Sequence, residues 1–247
     1  MKAPKTPLIC APLVAPTATL LLREARMVLA KKPDILEWRV DHFRDVADTD
    51  AVLEAARKLR RQLGRTRLIF THRSAREGGS AKGLRAAGVV RLYAAIGAER
   101  LADFVDFEMR NTPRLVRQVV DTAHRQRVRV ILSFHDFKRT PPVKAMRDRF
   151  VQAERLGADM AKVAVMPRDR DDVLALLLAT AQAKEKARIP LVSMSMGPMG
   201  AITRVMGGLF GSTMTFAVGE RSSAPGQIPI ADLRAAFELL GPHFGRR

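Results

Sequence analysis

A lysine, Lys162, lies inside the apolar run "DMAKVAVMP", residues 159–167. The run reads as a buried strand, whereas a solvated lysine belongs on a loop or a helix face. In a cavity of mixed polarity, desolvation and nearby arginine disfavour a lysine's ammonium form. The neutral amine can then attack a ketone and form an imine. A protonated imine is an electron sink, so the carbon beside it becomes acidic. His135, in "SFHDF", is of the residue type that can remove that proton and later protonate a leaving group near neutral pH. Glu77, in "THRSAREGG", can orient the histidine or tune its proton affinity. Arg39, Arg73 and Arg204 offer forks for carboxylate and hydroxyl oxygens. Together these residues point to imine-based lyase chemistry, either aldol cleavage or loss of water. That route needs no cofactor and no metal, and no metal-ligand cluster with sensible spacing is present in the sequence.

Such residues act together only if the fold converges them. Strand patterns fall at 8–14, 35–41, 67–73, 104–109, 128–135, 160–166, 190–196 and 213–218. Helical patterns fall at 18–31, 49–63, 82–98, 112–125, 142–156 and 170–187, with a short one near 201–208 and "IADLRAAFELLG" at the end. Strand and helix alternating eight times in a chain of 247 residues is the arithmetic of an α/β (β/α)8 TIM barrel, one catalytic domain over 1–247. A doubly wound sheet is the alternative, but "APLVAPT" after the first strand is not a glycine-rich phosphate turn. Side-chain parity sharpens the barrel reading. Leu36, Trp38 and Val40 form one apolar set, while Glu37, Arg39 and Asp41 form the other. On later strands Thr71 and Arg73, Asp106 and Glu108, Ser133 and His135, and Lys162 share the inward set. Each alone could belong to a buried ion-pair network that only fixes the fold. Their recurrence on successive strands favours a site.

The formal net charge is +18, from 43 basic and 25 acidic residues. The basic residues are scattered along the sequence, and one Trp and one Tyr offer no stacking platform for single strands. They read as solvated helix faces, so no nucleic-acid partner is expected, and the charge suits a small anionic substrate. Cys10 is the only cysteine, which excludes an internal disulfide and a cysteine-built zinc site and fits a reducing cytoplasm. The first residues imitate a signal peptide, but Pro12, Pro16 and Thr17 interrupt the apolar run. No membrane span is expected, because no run nears the roughly 20 apolar residues required.

The segments "ILEWRVDHF", "THRSAREGG", "SFHDF", "KVAVMP", "MSMGPMGAITR" and "SAPGQI" together resemble type I 3-dehydroquinate dehydratase, in order and over nearly the whole chain. The resemblance implies a homodimeric (β/α)8 barrel that converts 3-dehydroquinate to 3-dehydroshikimate in the shikimate pathway, without metal or organic cofactor. It implies Lys162 as the Schiff-base lysine, His135 as general acid/base and Glu77 as the glutamate beside it. It also implies Glu37, Arg39, Arg73, Ser223 and Gln227 as substrate contacts, with Arg204 on the substrate carboxylate. Met194, Met196 and Phe216 match apolar lining, although such residues serve equally often as core. Two positions depart from the pattern. Pro12 stands where a hydroxyl contact would be expected, and His72, which parity turns away from Arg73, reads as structural. A class I aldolase would share barrel and lysine but gives no reason for "EGG" or "SAPGQI". A basic nucleic-acid-binding barrel would leave Lys162 and His135 dispensable.

Overall fold

The computed structural model describes residues 6–81 and 83–241. Eight parallel strands alternate with helices: β1 Leu8–Leu13, α1 Ala18–Ala30, β2 Ile35–Arg39, α2 Thr49–Leu63, β3 Arg67–Thr71, α3 Ala86–Ala98, β4 Phe104–Glu108 and α4 Pro113–Arg125. They continue as β5 Arg129–Asp136, α5 Val143–Arg155, β6 Met160–Val165, α6 Arg170–Lys184, β7 Leu191–Ser195, short α7 Gly197–Gly200 and α8 Ile202–Met206, and β8 Met214–Val218. A two-residue strand, β9 Ile228–Pro229, and α9 Ile230–Leu240 complete the order. Strands β1 to β7 pair in sequence, and β8 pairs with β1. The ring closes between β7 and β8, where the Thr213 amide donates to Leu191 O at 2.7 Å. This is the expected TIM-type barrel.

Local chemistry sets the boundaries. Thr17, Asp48, Thr112 and Asp169 each accept a hydrogen bond from a first-turn amide of the helix that follows, the usual N-cap arrangement. Pro113 opens α4, where its missing amide hydrogen costs nothing. The pattern at 35–41 ends earlier than the sequence suggests. Val40–His42 form a 3-10 turn instead, which swings Asp41 back under Arg39. Strand β9 carries no sequence signal at two residues. The start of the 82–98 pattern at residue 82 lies outside the described residues, and the helix itself begins at Ala86.

The parity reading holds. Leu36, Trp38, Leu68, Phe70 and their neighbours pack between strands and helices. Trp38, Phe70, Tyr93 and Phe107 run through that layer as edge-to-face pairs with centroids 5.3–6.1 Å apart. Ile35, Ile69, Phe104, Ile131 and Met160 instead plug the barrel interior near the N-terminal strand ends. Above this plug the inward positions turn polar. No helix among the described residues is long and apolar enough to cross a membrane.

Candidate active site

Lys162 is the third residue of β6, and its Cα pairs with Ser133 on β5 and Val192 on β7. Its side chain therefore points into the barrel and is only 5% exposed. Nζ lies 3.1 Å from Asp106 Oδ2 and 3.7 Å from Glu37 Oε1, and 4.1 Å above the Phe216 ring centroid. The sequence reading put arginine beside the amine. Carboxylates are its nearest charged neighbours instead, and Arg73 reaches it only through Asp106, whose Oδ1 lies 2.8 Å from Arg73 Nη2. Burial works to raise the Asp106 pKa, but Arg73, Lys162 and the Ser133 hydroxyl outweigh it and hold it at about 2. Asp106 is thus a fixed anion that bridges two cations.

His135 follows Ser133 on the same face of β5. Its Nδ1 lies 2.9 Å from Glu77 Oε2, which also accepts the His135 backbone amide at 2.9 Å. The contact fixes the ring and leaves Nε2 for chemistry. Burial, joined by Arg73, Lys162, Arg39 and Arg110, pushes the imidazole pKa well below its usual value. Burial likewise raises Glu77, against the pull of Arg73 and Arg110, to about 8. Joined by this hydrogen bond, the two groups titrate as a pair. Glu77 reaches this place from a 3-10 turn over Ala75–Glu77, which ends at Gly78 with φ 83°. A Cβ at Gly78 would overlap the Phe137 ring, so only glycine fits.

The arginines are held rigidly. Asp41 grips Arg39 through two hydrogen bonds of 2.8 Å and also accepts the Arg73 and Ser80 amides. Despite burial, the Arg39 contacts lower the Asp41 pKa to about 2. Arg73 donates to Ser133 Oγ at 2.8 Å, and Thr71 donates to Glu37 Oε1 at 2.9 Å. After β8, Ser223 and Gln227 lie on a loop that closes over the mouth, its turn fixed by the Ser223 amide donating to Gln227 Oε1 at 2.9 Å.

All but one of the twelve residues assigned catalytic or substrate-binding roles from the sequence line a single cavity. The exception is Arg204. Its guanidinium sits behind the lining, donating to Phe216 O at 3.1 Å, Pro225 O at 3.0 Å and Gly226 O at 2.7 Å. Burial lowers its pKa to about 10, with no carboxylate beside it among the described residues. A buried cation without a countercharge is a ready anion site. Pro12 is absent from the lining, and His72 is structural, accepting the Leu84 amide at Nε2 at 2.7 Å. Sequence reasoning missed Arg110. It lies beyond β4 with Nε 3.3 Å from Glu77 Oε1 and its guanidinium 4.6 Å from the Phe134 ring centroid. Only its position two residues after inward-facing Glu108 could have signalled it. Among the described residues no group of three or more His, Cys, Asp or Glu could hold a metal ion.

The model of the type I 3-dehydroquinase family matches residues 9–243. The 3-dehydroquinate dehydratase of Albidiferax ferrireducens is 49% identical over 98% of this chain and 91% of its own length. That of Aromatoleum aromaticum is 47% identical over 96% and 91%. The crystal structure of 3-dehydroquinate dehydratase from Geobacillus kaustophilus superposes with a TM-score of 0.94 at 46% identity, covering 96% of this chain and 92% of that one. The type I enzyme from Clostridium difficile, solved with covalently modified comenic acid, gives 0.93 at 36% identity over 98% and 96%. With its barrel, buried lysine and histidine–glutamate pair in place, the chain belongs to the type I 3-dehydroquinase family.

Proposed function

We propose that the protein dehydrates 3-dehydroquinate to 3-dehydroshikimate through an imine on Lys162, with His135 moving the protons. The observation that carries this is one cavity holding a buried primary amine, a histidine–glutamate pair and fixed arginines. The substrate carboxylate pairs with Arg204, the buried cation without a countercharge. Ser223 and Gln227 close over it, while Glu37, Arg39 and Arg73 meet its polar groups. Met194, Met196 and Phe216 pack against its apolar edge.

His135 takes one proton from Lys162 Nζ, and the neutral amine adds to the ketone carbon to give a carbinolamine. His135 returns that proton to the carbinolamine hydroxyl, which leaves as water to form a protonated imine. His135 Nε2 then takes a proton from the adjacent carbon, and the electron pair moves into the enamine. The enamine expels the neighbouring hydroxyl, which leaves as water with the proton His135 returns. Water hydrolyses the conjugated imine and frees Lys162. Glu77 holds the imidazole in register through both transfers. The family reading adds a cytoplasmic homodimer in the shikimate pathway of aromatic amino acid biosynthesis, the route to chorismate.

Supplying 3-dehydroquinate to the purified protein should produce a conjugated enone, seen as rising ultraviolet absorbance. No absorbance change with 3-dehydroquinate, but cleavage of an aldol substrate, would instead assign the cavity to aldolase chemistry.

A further inference from the structure

The charged group nearest the Lys162 amine is Asp106, at 3.1 Å, against 3.7 Å for Glu37. Asp106 stands on β4 and is fully buried. It lies behind the cavity lining, whereas Glu37 is part of that lining. A substrate hydroxyl can therefore draw on Glu37 but cannot reach Asp106. The two Asp106 oxygens have separate duties. Oδ1 accepts the Ser133 hydroxyl at 2.5 Å and meets Arg73 Nη2 at 2.8 Å. Oδ2 accepts from Lys162 Nζ. Arg73 does not depend on Asp106 alone, because Arg73 Nη1 donates to Ser133 Oγ at 2.8 Å and lies 3.4 Å from Glu108. The Phe216 ring also turns its face to Nζ, with the centroid 4.1 Å away. A ring face and a carboxylate both favour positive charge on that nitrogen.

The nitrogen's charge changes along the proposed route. When water leaves the carbinolamine, the nitrogen lone pair forms the C=N bond, and positive charge settles on nitrogen. When His135 takes the carbon proton, the C–H pair becomes the enamine C=C bond and the C=N pair returns to nitrogen, which is then neutral. Expulsion of the hydroxyl draws that pair out again and restores the cation in the product imine. Only the protonated imine is an effective electron sink. Whatever holds it protonated sets how far into alkaline pH the reaction runs.

We propose that Asp106 is a further catalytic residue, the fixed countercharge that keeps the Lys162 imine protonated, an inference that rests on the imine reading of the site. A buried anion in contact with the nitrogen acts with little screening. Asp106 remains ionised throughout the working pH range. The groups facing it from other strands and helices do not replace it. Burial pushes Cys10 on β1 and Tyr93 on α3 up, so both stay neutral. Arg73 stays charged. Glu108 is committed to Ser74, whose amide and hydroxyl it accepts at 2.7 Å each. The His135–Glu77 pair answers chiefly to burial, Arg73 and other charges. Its titration is therefore common to wild type and variants. Glu37 is the competing carboxylate and serves as the comparison.

The test incubates the full chain with 3-dehydroquinate and traps the imine with cyanoborohydride, which reduces protonated imines and spares neutral ones. Parallel samples receive borohydride, which reduces both forms. Adduct on the Lys162 peptide is quantified by mass from about pH 6 to 10. Wild type should keep its cyanoborohydride yield to about pH 9. Asp106→Asn should lose it at a pH lower by about one unit or more, a tenfold loss of protonated imine at a given pH, while borohydride still labels Lys162. Glu37→Gln should shift the fall by less. An Asp106→Asn yield that is lower but falls at the wild-type pH would make Asp106 merely structural and overturn the proposal. So would a larger shift in Glu37→Gln. Should Asp106→Asn fail to fold, the other two profiles decide. Wild type and Glu37→Gln both holding to about pH 9 support Asp106, and a fall near neutral pH in either overturns it. No Lys162 adduct with either reagent in wild type would instead remove the imine reading itself.

Discussion

Arg110 joins the proposed catalytic pair, Glu77 and His135, to the rim of the barrel. Its guanidinium lies against Glu77 Oε1 and 3.7 Å from Asp136 Oδ2, clamped on the Phe134 ring. Arg73 and Arg110 draw the Glu77 pKa down, while burial and Glu108 raise it. Arg110→Ala should therefore raise the pKa of the histidine–glutamate pair and move the acid limb of the kcat profile to higher pH. Each unit of that movement costs about tenfold in rate on the acid limb. A profile of unchanged position with a uniformly lower rate would make Arg110 merely structural. For His135→Ala the imine should still form, but release should slow by about 10²–10⁴. Single-turnover kinetics with mass detection of the adduct separate these steps. Lys162 and His135 were legible because chemistry-bearing side chains in apolar strands have few bland explanations. Arg110 was not, since an arginine just past a strand end looks like any solvated one. Nor could the sequence show that backbone carbonyls hold Arg204, because such contacts come from the loop's path.

The loop between β8 and β9 links site to fold. Gly226 adopts φ 74°, and a Cβ there would overlap the backbone of Gly197. The Gly197 amide in turn donates to Pro225 O at 3.2 Å. Gly226→Ala should lift the loop off Arg204 and displace Gln227. We expect KM to rise by about tenfold or more, with a smaller change in kcat, because in the proposed reaction the loop holds substrate and does not move protons. An unaltered KM would show that the loop does not bind substrate. Helix positions were readable because caps such as Asp48 and Asp169 mark them. The end of β2 was not, since Asp41 leaves the strand to grip Arg39, and that tertiary demand overrides the apolar alternation.

Buried charge in the barrel ties stability to pH. Asp41 and Asp106 have folded pKa values of about 2, below those of an unfolded chain. Their contribution, about 2 kcal/mol each, is complete above pH of about 4 and is lost as pH falls towards 2. Denaturant midpoints should drop steeply across that window. Glu77 acts with the opposite sign. Its folded pKa of about 8 exceeds its unfolded value, so its contribution is complete at low pH and is lost as pH rises towards 8. The Tm difference between Glu77→Gln and wild type should therefore move in the variant's favour between about pH 5 and 8. The alternation of elements made the barrel legible, but the closure of the ring between β7 and β8 through the Thr213 amide required the topology. The central claim is that Lys162 forms a covalent bond with substrate. Its most direct test is borohydride reduction in the presence of 3-dehydroquinate, followed by peptide mass mapping. Reduced substrate mass on the peptide containing Lys162, absent in Lys162→Ala, is the predicted result; label on another residue, or none during active turnover, would contradict it.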